Sequence, residues 1–499
     1  MRSLVLLISA LALTSAAEKV IFCYLGSWAT YRAGNGKFEA ENIQPDLCTH
    51  LVYAFVGIST SGQVVLLDEY NDIANNYGKN AMGRCQNLKT SNPNLKVLVA
   101  IGGWNEGSVK YSNVVNNDTL RATFVDSIVN FTVSYGFDGF DLDWEYPGLR
   151  GGASTDKAAF AQLLKELRPR FDEKGLVLTA AVGAGKSTVD TAYDVPSLSL
   201  YLDYINVMTY DFHGSWDGVT GQNAPLYASE ADTDLYLNVD AAVSYWLSLG
   251  ADPAKLVLGM ATYGRTFTLT SSSNHDLGAT ASAGGTAGKY TATAGTLGYN
   301  EFCETNMTSP WTVVWVDVQK VPYAHSGDQW IGYDDVRSLT IKSEYIVNRS
   351  LAGGMIWSLE TDDFLGLCHG YKFPLLSAIN KVLNGGGNSP DNSSSSSTTA
   401  TSDSSAVSVS SVSVSVSSVS VSSTSAVDNT TAQVSQGATN DTSTLCSSAG
   451  YVRDTSNCQV FYLCQLVNAA YVVYKFVCQD SLVFDTTSNT CNYATEVDC

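Results

Sequence analysis

Positive charge is scarce in this chain: 28 Lys and Arg stand against 48 Asp and Glu in 499 residues, a formal charge of −20. A balance that acidic repels phosphate backbones and anionic lipid, which excludes nucleic acid and a membrane surface as main partners and favours a neutral ligand. Long apolar runs are missing as well. No stretch reaches the roughly eighteen consecutive apolar residues that a spanning helix needs, and no apolar tail follows the last cysteine, so neither a membrane span nor a lipid anchor is expected. Charged residues of either sign make up only 15%, against 45% hydrophobic and 11% aromatic, which excludes a charge-rich disordered chain and allows a large core.

One region lacks the means to fold. Residues 385–445 contain no Lys, no Arg and no aromatic side chain, only Ser, Thr, Val, Ala, Gly and a few other small or polar residues. The alternation of Val with Ser from Val407 to Val421 would suit a strand. Dense Ser and Thr favours instead an extended, O-glycosylated linker. At the other end, Arg2, the apolar run Leu4 to Leu13 and the small residues Ser15-Ala16-Ala17 read as a signal peptide over residues 1–17. A secreted, extracellular protein follows. Its eleven cysteines are then expected in disulfides, with at least one thiol left over: Cys23, Cys48, Cys85, Cys303 and Cys368 precede the linker and six more run from Cys446 to Cys499. Seven Asn-x-Ser/Thr triplets, at Asn117, Asn130, Asn306, Asn348, Asn392, Asn429 and Asn440, agree with export.

Before the linker, eight short β-branched runs alternate with helical periodicity: Val20–Tyr24, Leu51–Val56, Val97–Ile101, Gly139–Asp143, Val177–Val182, Ile205–Met208, Leu256–Met260 and Met355–Trp357. Helical stretches such as Leu120 to Tyr135, Lys157 to Phe171 and Val239 to Leu249 sit between them, so residues 18–384 are expected to form an α/β fold, a (β/α)8 TIM barrel. The seventh gap is too long for one helix. It predicts an α+β insertion between strands 7 and 8, over about residues 266–332.

The chemistry concentrates in Asp138-Gly-Phe-Asp141-Leu-Asp143-Trp-Glu145-Tyr-Pro147. Alternation sends Asp141, Asp143 and Glu145 to one face of strand 4 and Phe140, Leu142 and Trp144 to the other. Three carboxylates then meet at the C-terminal mouth of the barrel, where crowding raises at least one pKa and lets one group hold a proton near neutrality. Glu145, the outermost, is the natural proton donor. Taken alone, the same row also reads as a divalent-metal site or as a solvated strand end.

These residues, with every acidic position filled, resemble the Asp-x-x-Asp-x-Asp-x-Glu signature of the family 18 chitinases. Further blocks resemble that family in order: Cys23-Tyr24 through Trp28 to Tyr31-Arg32, His50 to Phe55, Ala100 to Asn105, Met208 to Gly214, Tyr263-Gly264-Arg265, Gly332 to Asp335 and Gly353 to Trp357. The resemblance spans about Lys19 to Leu383. It implies hydrolysis of β-1,4 bonds between N-acetylglucosamine units, with no cofactor and no metal, by a substrate-assisted retaining mechanism in which the acetamido oxygen attacks the anomeric carbon. Glu145 would be the acid, Asp143 would orient the acetamido group, Asp141 would share a proton with Asp143, and Tyr210 would bond the acetamido carbonyl. Tyr24, Phe55, Gly102, Met208, Asp211, Arg265 and Trp357 would bind sugar. Trp28, Trp104 and Trp216 follow strand ends and are expected as exposed platforms along the groove, the alternative being a place in the barrel core. The resemblance also pairs Cys23 with Cys48 and Cys303 with Cys368, leaving Cys85 buried and inert.

Gly183-Ala184-Gly185-Lys186-Ser187-Thr188 imitates half of a phosphate loop, but Ala180 stands where its first glycine belongs, so an exit loop after strand 5 is expected. Residues 446–499, a small disulfide-rich β domain, resemble a peritrophin-A type chitin-binding domain. That resemblance implies the pairs Cys446 with Cys464, Cys458 with Cys499 and Cys478 with Cys491. The chain departs from the usual pattern in a short first cysteine gap, in Gln465 where a glycine is customary, and in Asp480-Ser481 ahead of Leu482. Tyr462, Tyr471, Tyr474 and Phe484 are candidates for sugar stacking or for a minimal core. The expectation is a monomeric secreted chitinase acting on chitin and chitooligosaccharides. The alternatives are a catalytically inactive chitin-binding lectin and a structural matrix protein.

Overall fold

The computed structural model describes residues 19–385 apart from 231, and in the tail residues 450–454, 456–467, 470–477, 482–486 and 490–493. These residues fall into two compact units, one before and one after the linker. The expected signal segment, residues 1–17, and residues 386–445 of the expected linker lie outside the described residues.

In the first unit the eight apolar runs form eight parallel strands: β1 (Val20–Gly26), β2 (His50–Ile58), β3 (Lys96–Gly102), β4 (Gly139–Asp143), β5 (Val177–Gly183), β6 (Tyr204–Met208), β7 (Leu256–Ala261) and β8 (Gly353–Trp357). Each pairs with its neighbours, and β1 pairs with both β2 and β8, so the sheet closes on itself. Strands buried on both faces need no polar alternation, which is why they read as continuous apolar runs. Their two faces feed different cores. Phe22, Tyr24, Val52, Leu98, Val257 and Met355 fill the interior, whereas Phe140, Leu142 and Trp144 join the outer core with Phe160 and Leu164 of the surrounding helices.

The helices follow local signals. Asn117 caps Asp118–Ser134 by accepting from the Thr119 and Leu120 amides, Asn238 caps Val239–Ser248, and Gly175 ends Asp156–Lys174 in the left-handed conformation. The expectation of a helix in every unit fails at the first crossing. Between β1 and β2 the described chain makes only short 3-10 turns, because Gly34, Gly36 and Pro45 interrupt it, and the Cys23–Cys48 disulfide ties the crossing down. The phosphate-loop imitation is likewise split: Gly183 ends β5, and Lys186 to Thr188 open the short helix Lys186–Ala192.

The long seventh gap holds an antiparallel sheet built from Ala281–Gly284, Tyr263–Leu269, Gln329–Gly332, Val321–Ser326 and Thr312–Val316, with Thr296–Gly298 on Tyr263–Leu269 and the helix Tyr299–Thr308. The sheet begins at Tyr263, ahead of the expected 266, since Gly264 and Arg265 already pair with Leu297 and Thr296. Phe267, Tyr323 and Trp330 form its own small core, and Cys303–Cys368 bonds its helix to the loop after β8. Cys85 is buried and unbonded, and burial pushes its thiol up to about 12.

In the tail, Gly450–Arg453, Val460–Val467 and Ala470–Val477 form a three-stranded antiparallel sheet, and Leu482–Asp485 pairs with Thr490–Tyr493. Cys458 and Cys464 are disulfide-bonded. Each of the three expected pairings includes a cysteine outside the described residues: Cys446, Cys499 or Cys478. Cys491 lies on the last strand. The Tyr462 hydroxyl donates to Asp454 at 2.9 Å, while the side chains of Tyr471, Tyr474 and Phe484 lie outside the description.

Candidate active site

Asp141 sits in the barrel interior with no exposed surface. Its register places it between Ala100 of β3 and Thr179 of β5. Tyr24 donates to one oxygen at 3.0 Å and Thr179 to the other at 2.5 Å, while the Asn206 amide reaches both Tyr24 at 2.9 Å and Asp141 at 3.5 Å. Burial raises this carboxyl to about 6 and the three donors restrain the rise. One turn of the pleat farther along, Asp143 is buried too, pushed well above the carboxylate range by burial and then by the charges of Glu145 and Asp141. Its Oδ1 has no hydrogen-bond partner.

Space for Asp143 depends on glycine. Gly102 lies opposite it in register at φ +115°, and a Cβ there would stand 2.1 Å from the Asp143 carbonyl oxygen. Gly103 then donates its amide to that carbonyl at 2.8 Å. Glu145 follows at the rim, 9% exposed. Burial raises it to about 7, against the opposing effects of the Tyr146 hydroxyl and the Arg150 charge. A carboxyl half-protonated near neutrality is suited to give a proton and take it back.

Around the row stand two groups of side chains. From the adjacent strands β8, β1 and β2, the Trp357 ring lies 5.7 Å from Tyr24, 5.7 Å from Phe55 and 6.2 Å from Trp28. They make an aromatic wall on one side of the mouth. After β6, Asp211 adopts φ +59° and accepts from the Tyr263 hydroxyl at 2.6 Å and from Arg265 at 2.7 Å. The Arg265 guanidinium also lies 5.2 Å from the Trp216 ring. Tyr210 is buried against Tyr263, its hydroxyl 3.7 Å from the Met355 sulfur, a weak acceptor that a stronger one can displace. Met208 is half-buried at the end of β6, packed against the interior cluster. Trp28, Trp104 and Trp216 are all exposed, as platforms must be.

Thr179, Asn206, Asn223 and Arg150 were not singled out in the sequence. Asn223, fully buried, accepts from the Asp211 amide and donates to the Tyr263 carbonyl, both at 3.0 Å, and so fixes the unusual conformation of Asp211. Thr179 and Asn206 did leave a signal: each is a lone polar residue within an apolar strand run. Among the described residues the one cluster with metal-ligand proximity is Cys303, Asp363 and Cys368, where the two sulfurs already bond each other and offer no thiolate.

Comparison with known proteins agrees with this geometry. Residues 20–362 match the glycosyl hydrolases family 18 model, and residues 446–499 match the chitin binding Peritrophin-A domain model. "Probable chitinase 2" of Drosophila melanogaster is 46% identical over 362 residues, covering 70% of this chain and 74% of that protein. The Group IV chitinase of Ostrinia furnacalis, solved in complex with allosamidin, has 47% identity and a TM-score of 0.72 over 74% of this chain and all of its own. Human YKL-39, described as a pseudo-chitinase with retained chitooligosaccharide binding, has 37% identity and a TM-score of 0.68 over 73% and 99%. The chain belongs to the glycosyl hydrolases of family 18, as a chitinase that carries a C-terminal peritrophin-A chitin-binding domain.

Proposed function

We propose that the protein is a secreted, monomeric chitinase that cleaves β-1,4-N-acetylglucosamine linkages with substrate assistance and retention. The observation that carries this reading is a neutral-range acid, Glu145, two residues beyond a buried carboxyl with an unpartnered oxygen, Asp143. Glu145 gives its proton to the glycosidic oxygen as the C–O bond breaks. The acetamido oxygen bonds to the anomeric carbon, with Asp143 accepting from the acetamido N–H and Tyr210 donating to its carbonyl. The Glu145 carboxylate then takes a proton from water, whose oxygen opens the ring intermediate. Two inversions leave the β configuration.

Trp357 supplies the floor and the exposed tryptophans extend it, since sugar C–H faces stack on flat rings. Export rests on the segment 1–17 and on the disulfides, and the Ser/Thr-rich residues 385–445 serve as an O-glycosylated spacer. A proton NMR time course on a soluble N-acetylglucosamine oligomer tests the reaction: β-anomer first supports it, α-anomer first refutes it. The lectin alternative, which the likeness to YKL-39 keeps in view, requires loss of the proton donor, and Glu145 is present. Oligosaccharide binding without turnover would favour it.

A further inference from the structure

We propose that Arg150 is a positioning residue that tunes the acid at Glu145 and holds the Trp104 ring beside it. This rests on the assignment of Glu145 as the acid.

The turn after β4 is built to bring Arg150 back over the Glu145 backbone. The Leu149 amide donates to the Tyr146 carbonyl and the Gly152 amide to the Leu149 carbonyl. The Gly148 amide donates at 3.0 Å to Asp156, a buried residue at the head of Asp156–Lys174 that Ser112 and Asn116 also hold at 2.7 Å. At the tip of this anchored turn Arg150 takes φ +52°, which side chains other than glycine adopt rarely. From there its guanidinium donates to the Glu145 carbonyl at 2.9 Å and lies 3.6 Å from the centre of the Trp104 ring. One side chain thus ties the acid's own backbone to an exposed platform.

Charge gives the arrangement its second effect. The ionisable groups acting at Glu145 are Asp143 of β4, the adjacent Tyr146, Asp211 after β6, Tyr193 after β5, Tyr210 and Tyr263, and Arg150. Of these only Arg150 is a cation. The others are acids, so without Arg150 Glu145 would keep its proton to higher pH and give up that proton less readily. The ring contact acts on the substrate. An arginine over one face of Trp104 fixes the indole and leaves its other face for sugar.

The test compares Arg150→Gln and Arg150→Lys with the full-length wild type, following kcat and KM on a soluble N-acetylglucosamine oligomer from pH 4 to 9. Activity falls at high pH as the acid ionises. R150Q, which loses the charge, is expected to move that descending limb upward by about half a pH unit, less than a buried pair would because Arg150 is exposed. R150K keeps the charge and should keep the limb in place. Both variants should raise KM about two- to five-fold through the lost ring contact, with unchanged melting temperature. A purely structural role would not move the limb. If R150Q and wild type descend at the same pH, or R150K shifts as far as R150Q, the proposal is wrong. A wild type that turns over no oligomer at any pH would instead overturn the assignment of Glu145.

Discussion

Glu145→Gln should make the protein more stable as it makes it inactive, and only at high pH. The wild-type carboxyl is held at about 7 against an ordinary 4.5. At about 1.4 kcal/mol per pH unit, that difference corresponds to about 3 kcal/mol. Below pH 4.5 the group is protonated whether the chain is folded or unfolded, and it takes nothing from stability. Between 4.5 and 7 the unfolded chain ionises while the folded one does not, so stability falls as pH rises, and above 7 the full amount is lost. Glutamine has nearly the same shape and no charge to bury. Urea unfolding should therefore show E145Q and wild type nearly equal at pH 4 and the variant ahead by about 3 kcal/mol at pH 8. Turnover of soluble oligomers should fall by about 10²-fold to 10⁴-fold while binding persists. A stability gain that is the same at both pH values would refute the burial argument, and a variant that kept a tenth of wild-type activity would refute the role.

Three further outcomes follow from the same geometry. Tyr24→Phe deletes a donor that holds Asp141 down, so Asp141 should keep its proton to a pH about one unit higher, read by carbon NMR of labelled aspartate; an unmoved midpoint would mean that Thr179 and Asn206 suffice. Gly102→Ala should destabilise the barrel by about 2 to 4 kcal/mol, from its positive φ and from the clash with the Asp143 carbonyl, seen in the unfolding midpoint; a loss below about 0.5 kcal/mol would show that the two strand ends have room to part. Deleting residues 385–499 should lower activity on insoluble chitin and leave soluble oligomers nearly unaffected, because a tethered binding module raises local concentration at the surface and leaves the chemistry of the acid row unchanged; equal loss on both substrates would assign the tail a folding role.

The barrel was legible because its strands are buried on both faces, and such strands leave unbroken β-branched runs. The acid row was legible because a period of two needs no partner to read: Phe140, Leu142 and Trp144 in the outer core fix the opposite side for Asp141 and Asp143. What stayed hidden came from contacts between segments distant in sequence. Asn206 reaches Asp141 from two strands away, and Asn223 supports Asp211 from a loop. Asn206 stood out as polar in an apolar strand run, which said nothing of its partner, and Asn223 left no such signal. The missing helix after β1 was hidden for a different reason: a disulfide and packing hold a crossing whose local propensity is poor. At the tail, fifteen pairings of six cysteines fit the sequence, and only the resemblance selected one.

Protonation is the property least accessible to pattern. Three carboxylates on one strand imply repulsion, but repulsion alone does not say which of them holds a proton. Burial comes first among the causes at Asp141, Asp143 and Glu145 alike, ahead of their mutual charge. The differences between them follow the groups around each. Asp141 has three donors and stands near 6; Glu145 has Arg150 and the Tyr146 hydroxyl and stands near 7; Asp143, with an oxygen that has no donor, is pushed well above the carboxylate range. An unfilled acceptor in a buried site is destabilising until something donates to it. Under the proposed mechanism an incoming acetamido N–H would supply that donor, an interaction that a sugar without the acetyl group would not make.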